Sequence, residues 1–155
     1  MSVSQPVILL AEDDDNDIFF MRRALKKAEI DSPLHVVRDG QEALDYLGGV
    51  GPFADRQHYP LPGIVFLDLK MPFLGGFDVL TWLRSQPPFK NIPVVILTSS
   101  SEDRDRRMAG ELGARAYCVK PPGTEMVREM MRLANESGKG VSVSAPRCYD
   151  IPSDK

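Results

Sequence analysis

Cysteine is scarce in this chain: its 155 residues include only Cys118 and Cys148. Two thiols cannot build the bridged framework of a small secreted domain, so the sequence predicts reduced cysteines in a reducing compartment. Positive charge is not in excess either. Nineteen Lys and Arg against 22 Asp and Glu give a net charge of −3, which lacks the footprint of a nucleic-acid-binding domain. No apolar run approaches the roughly 20 residues of a membrane-spanning helix, so no membrane association is expected. No basic segment followed by a long apolar one opens the chain, so no secretion signal is expected and the expected location is the cytoplasm. Internal repeats are absent too. With 43% hydrophobic and 26% charged residues, the composition sets aside disordered and fibrous classes and predicts one globular domain.

What is present is a set of short apolar runs that end in polar residues. Ile64-Val65-Phe66-Leu67 reads as a buried strand, and it runs into Asp68 before Pro72 stops it. In an open parallel sheet the carboxyl ends of the strands are where ligands bind. Alone, Asp68 could equally be a loop residue capping the next helix. Val7 to Ala11 is a second such run, ending in Glu12, Asp13, Asp14 and Asp15. Ile18, Met21, Leu25 and Ala28 then follow helical spacing, with bases near the end. Acids at a helix start suit the macrodipole, so Asp14, Asp15 and Asp17 are expected as cap and first-turn residues. Glu12 and Asp13 leave the strand before that helix begins.

Leu34 to Arg38 is the next strand, with His35 as a structural residue, and Asp39 to Glu42 has capping-box spacing. Gly48 to Gly63 is a long connection rich in Gly and Pro, open to two readings: a partner contact or an ordered insertion. Gly75-Gly76 leads into a helix carrying Phe77, Leu80 and Leu83. Val94 to Leu97 is a strand ending in Thr98 and three serines, one of which is expected to cap the helix from Glu102 to Leu112. Ala116 to Val119 is the last strand of this series, ending in Lys120 before Pro121-Pro122. Met126, Val127, Met130, Leu133 and Ala134 mark the inner face of a final helix. Residues 1–137 are therefore expected as the domain and 138–155 as a mobile tail.

Five alternating strand–helix units predict an α/β doubly wound, flavodoxin-like parallel sheet of five strands in the order 2-1-3-4-5, with helices on both faces. That fold lines up Glu12 and Asp13, Asp68, Thr98 and Lys120 along one edge. Neither helix capping nor core packing accounts for all five. Clustered carboxylates repel unless a hard cation sits among them, and with no Cys or His beside them the set favours Mg2+ over zinc. An aspartate can be the covalent nucleophile toward a phosphoryl group. A metal, a hydroxyl and a lysine would then neutralise its oxygens.

Leu10-Ala11-Glu12-Asp13, Leu67-Asp68-Leu69-Lys70-Met71-Pro72, Leu97-Thr98-Ser99 and Val119-Lys120-Pro121 together resemble the response-regulator receiver domain of two-component signalling, over about Val7 to Glu136. The resemblance implies a phosphorylation-activated switch. Asp68 would accept a phosphoryl group from a sensor histidine kinase, with Mg2+ held by Asp13, Asp68, Glu12 through water, and the backbone carbonyl of Lys70. Thr98 and Lys120 would contact the phosphoryl group, Lys120–Pro121 would be cis, and Tyr117 would turn inward as the surface of the last strand and its flanking helices changes. The readout would be a downstream protein, a homodimer or onward phosphotransfer. Pro122-Gly123 departs from the family, which places an apolar residue after Lys-Pro. The long Gly48–Gly63 loop resembles single-domain regulators paired with phytochrome-type kinases. A phosphatase of the haloacid-dehalogenase type also uses a strand-end aspartate, but it requires an acid where Lys70 stands. A docking module without phosphorylation would have no use for the intact set.

Overall fold

Each short apolar run becomes a strand, and the computed structural model describes residues 5–135 and 148–150. In chain order these are β1 (Ile8–Ala11), α1 (Asp15–Lys27), β2 (Leu34–Val37), α2 (Gly40–Gly48), β3 (Ile64–Leu67), α3 (Gly76–Ser85), β4 (Val94–Thr98), α4 (Asp103–Glu111), β5 (Ala116–Val119), α5 (Thr124–Asn135) and β6 (Cys148–Asp150). The sheet order is β2-β1-β3-β4-β5-β6, and the first five strands are parallel. The strands read as continuous apolar runs because both faces are covered. Ile8, Leu10, Phe66, Val95, Leu97 and Cys118 pack beneath α1 and α5. Their neighbours Leu9, Ala11, Val65, Leu67, Ile96 and Tyr117 pack beneath α2, α3 and α4. The alternation is the period of a strand, and it divides one apolar run between two cores.

Two expectations fail at the C-terminal end. Cys148–Asp150 is not part of a mobile tail: it forms β6, antiparallel to β5, with Cys118 opposite Cys148 and Tyr117 opposite Tyr149. A three-residue strand gives no periodicity to read in a sequence. The cysteines are not reduced thiols either. Cys118 and Cys148 form a disulfide with their Cα atoms 4.1 Å apart, because the antiparallel return brings together residues separated by 30 positions. The proposed boundary at 137, and the rest of the expected tail, lie outside the described residues.

Capping also differs in detail. Asp14 caps α1, accepting the amides of Asn16 and Asp17. At α4 the cap residue is Glu102, with no side-chain cap, so no serine holds that position. Ser100 comes nearest: its hydroxyl accepts the Glu102 amide at 3.2 Å and donates to Asp105 at 2.6 Å.

The Gly48–Gly63 connection is ordered. α2 is capped by Gly49, whose φ of +67° is left-handed, and Arg56 reaches back to that terminus. Its guanidinium donates to the carbonyls of Tyr46 (2.8 Å), Leu47 (2.6 Å) and Tyr59 (3.0 Å). A cation here satisfies carbonyls that the helix leaves open and suits its negative end. Arg56→Ala is expected to lower folding stability by about 1.5–3 kcal/mol, the range for losing hydrogen bonds to a charged group. The check is a urea melt with unchanged slope; an unchanged midpoint would remove Arg56 from the account.

His35 supports the same loop from β2. Its ring meets those of Tyr46 and Tyr59 edge-on, at 5.7 and 6.0 Å. Burial lowers its pKa below the ordinary 6.5, so the folded state resists a proton that the unfolded chain accepts. The contribution is complete above about pH 6.5 and is lost as pH falls through the window beneath it. Wild type is expected to lose more urea resistance between about pH 7.5 and 5.5 than His35→Phe does. Equal losses would mean that His35 does not carry the effect.

Candidate functional site

The carboxyl edge of the sheet is held by backbone bonds that continue the ladders one step beyond the strands. The Glu12 amide donates to Val37 O (2.9 Å), the Asp68 amide to Ala11 O (3.2 Å) and the Lys120 amide to Thr98 O (2.8 Å). Each side chain that leaves a strand end therefore starts from a fixed backbone. The order β2-β1-β3 puts the topological switch point between β1 and β3, where Glu12, Asp13 and Asp68 emerge.

One ammonium organises this pocket. Lys120 Nζ lies 2.7 Å from Glu12 Oε1, 2.7 Å from Asp17 Oδ2 and 3.0 Å from Asp68 Oδ2. Glu12 is 1% exposed and Asp68 is 7% exposed, so the charges face each other with little screening. Burial raises the Glu12 pKa to about 7; the Lys120 hydrogen bond pulls it down and the Asp68 charge pushes it up again. Burial by itself would lower the Lys120 pKa, but hydrogen bonds to Asp17, Glu12 and Asp68 hold it above the ordinary lysine value. The shift favours the charged form of the lysine.

Glu12, Asp13 and Asp68 each offer a carboxylate oxygen, and these lie within 4.8 Å of one another. Two are buried, Asp13 is exposed, and among the described residues no sulfur or imidazole joins them. Such an oxygen set fits a hard divalent cation that keeps water on its open side. Lys70 is exposed, and its amide faces Asp68 Oδ1 at 3.4 Å. Thr98 is 1% exposed at the end of β4, and its hydroxyl accepts the Ser100 amide at 3.5 Å. The Lys120–Pro121 peptide is cis. Tyr117 lies on the other face of β5, fully buried, with its hydroxyl donating to Ser100 O at 2.9 Å. The inward ring position expected only after phosphorylation is already occupied.

Asp17 has a role that the sequence does not announce. It is the expected first-turn acid of α1, and it is also the third carboxylate on Lys120. A signal existed: Asp17 stands four residues before the fully buried Met21, so it shares the inward face of α1. Its neighbours keep the expected roles, Asp14 as cap and Asp15 as a first-turn acid, and Asp15 also forms an exposed pair with Arg38.

The pattern of the response regulator receiver domain matches residues 8–132. Response regulator Rcp1 of Synechocystis is 36% identical over 114 residues, covering 74% of this chain and 76% of that protein. A structure of the Mn2+-bound form of Rcp1 superposes with a TM-score of 0.70 at 30% identity, over 90% of this chain and 99% of that one. The bacteriophytochrome response regulator RtBRR gives 0.75 at 37% identity, over 91% and 84% of the two chains. The phosphorylated cyanobacterial phytochrome response regulator RcpA gives 0.71 at 30% identity, over 84% and 89%. Receiver domains bind a divalent metal at the acidic pocket, and as a family they are signalling proteins and generally non-catalytic. With its switch-point acids, half-buried lysine and five parallel strands in the same order, this chain belongs to the response regulator receiver domain family, whose members are phosphorylated on aspartate in two-component signalling.

Proposed function

We propose that Asp68 is the phosphoacceptor of a histidine kinase and that the chain is a switch read by another protein, by a second copy of itself or by an onward phosphotransfer partner. One observation carries this reading: the carboxylate that shares a cation pocket with Glu12 and Asp13 also lies 3.0 Å from the half-buried ammonium of Lys120. An Asp68 oxygen attacks the phosphorus of a phosphohistidine, the P–N bond breaks, and the imidazole leaves. Lys120 is positioned to follow the charge onto a phosphoryl oxygen while Glu12 and Asp17 keep hold of it. The Thr98 hydroxyl already accepts the Ser100 amide, so its own proton is available to a second oxygen. Glu12, Asp13, Asp68 and the Lys70 carbonyl would hold Mg2+, which supplies charge neutralisation at the transferred group. Slow loss of the phosphoryl group is attack by water on the same phosphorus, limited by the burial of Asp68 and Thr98.

Because Tyr117 is already inside, phosphorylation in this reading fixes its position and, with it, the surface of α4, β5 and α5. A partner that delivers the phosphoryl group must dock beside the pocket. There Phe20, Arg23 and Lys27 of α1 face Pro121 and Pro122 across an open cleft of about 300 Å³. Phe19, 57% exposed, packs edge-on against Phe20. Such a mixed apolar and cationic surface fits a helical kinase face bearing acids. A phytochrome-type kinase is the partner suggested by RtBRR and RcpA, whose names place them with such photoreceptors.

Incubation with a small phosphodonor and Mg2+ is expected to add one phosphoryl group per chain, released by hydroxylamine and mapping to Asp68 by peptide mass spectrometry. A phosphoryl group on another residue, or equal labelling without a divalent cation, would overturn the assignment.

A further inference from the structure

The Cys118–Cys148 bridge takes no part in the acidic pocket, yet it sits on the strand that leads to Lys120. We propose that these cysteines form a thiol–disulfide exchange site for small dithiols and disulfides, which frees or fastens β6 on the edge of β5. The inference does not depend on phosphorylation of Asp68.

The two sulfurs differ in access. Cys118 is fully buried in the core beneath α1 and α5, whereas Cys148 is half-buried at the rim of that core. A reagent from solution therefore meets Cys148 first, because exchange depends on access to the attacked sulfur. β6 depends on the bridge more than a longer strand would. It spans three residues and pairs with one neighbour, β5. Its described support beyond that ladder is the packing of Cys148 on the core rim and Arg106 of α4, whose guanidinium lies 4.4 Å from the centre of the Tyr149 ring. Closing a loop across 30 positions carries an entropic cost that three residue pairs offset poorly, and a covalent bond reduces that cost by restricting the open ensemble in advance.

The chemistry balances without any other group. A thiolate of a dithiol attacks Cys148 Sγ, the Sγ–Sγ bond breaks, and Cys118 leaves and takes a proton. The reagent's second thiol then attacks its own sulfur in the mixed disulfide, closing a cyclic disulfide and releasing Cys148 as a thiol. Two electrons pass from the reagent to the bridge. With a small disulfide such as oxidised glutathione the sequence runs in reverse and releases two small thiols.

When β6 is fastened, it covers the outer edge of β5 and ties Tyr149 to Arg106 on α4. When it is free, the backbone groups of that edge open to solvent, and α4 loses a contact. The site thus sets a redox condition on the strand that also carries Tyr117 and ends beside Lys120.

The full chain is incubated with oxidised glutathione or with dithiothreitol. Free thiols are then counted by alkylation under denaturing conditions, and amide exchange is followed at residues 116–119 and 148–150. Oxidised glutathione is expected to leave no alkylatable thiol. Dithiothreitol is expected to expose two and to speed exchange at 148–150 at least tenfold. Cys148→Ser, which leaves the buried Cys118 in place, is expected to exchange rapidly with or without dithiothreitol. Two free thiols after oxidised glutathione, or equal protection at 148–150 with the bridge open, would overturn the proposal.

Discussion

Lys120→Met is expected to destabilise the metal-free protein by about 3 kcal/mol, the low end of the range for removing one partner of a buried charge cluster. The ammonium contacts Glu12, Asp17 and Asp68 at 3.0 Å or less. Without it, three carboxylates face one another in a pocket with little water. Glu12 relieves part of the strain by taking up a proton, since its pKa is already about 7. That is why the loss falls at the low end. Magnesium is expected to raise the melting temperature of the variant more than that of wild type, because in the variant it supplies the missing charge. Phosphorylation by a small donor is expected to slow by about 10²–10³-fold, as when one charge-stabilising donor is lost from a reacting centre. A variant as stable as wild type without metal would show that the ion cluster does not support the fold. The decisive measurement is a pair of urea melts with and without millimolar Mg2+.

Gly76→Ala is expected to cost about 3 kcal/mol or more, although alanine is the better helix former. Gly76 opens α3, where intrinsic preference favours alanine by up to about 1 kcal/mol. Sterics oppose it more strongly. A Cβ at this position would lie 2.4 Å from the Asp68 carbonyl oxygen and 3.1 Å from Leu69 Cα. Those are backbone atoms, so no side chain can swing aside, and the Gly76 amide is bonded to Leu69 O at 3.1 Å. Relief has to come from moving the segment that carries Asp68, and overpacking of this kind usually costs 1–3 kcal/mol, occasionally more. The displacement is expected to weaken divalent-cation binding about tenfold, as loss of a ligand's support does. Gly123→Ala is the control. A Cβ there meets nothing within 4 Å, and the change is expected to stay within about 1 kcal/mol of wild type. Equal melting temperatures for the two variants would mean that the contact between α3 and Asp68 yields easily.

The positions of Glu12, Asp13, Asp68, Thr98 and Lys120 were legible because each ends a short apolar run, and alternation with helices leaves few ways to arrange such runs. The core was legible for the same reason: Ile18, Met21 and Leu25 repeat at helical spacing, and all three are buried. Asp17 was less legible, since a first-turn acid satisfies the helix dipole whether or not it also meets a lysine 103 positions away. The serine run misled about α4, whose cap residue is Glu102, because a hydroxyl two residues early can bond the same amide. The long loop left two readings open. Nothing local in its sequence says that Arg56 turns back onto the end of α2.

The sequence by itself determined the parallel doubly wound fold and the residues along its functional edge, because hydrophobic period and strand ends are local properties of the chain. Three features were decided only in the tertiary structure: the convergence of Glu12, Asp17 and Asp68 on Lys120, the inward Tyr117 ring, and the return of Cys148 to face Cys118. Each depends on distances between segments far apart in sequence. Such distances follow from how helices pack on the sheet and where a short edge strand finds its partner, and neither leaves a periodic trace in the order of residues.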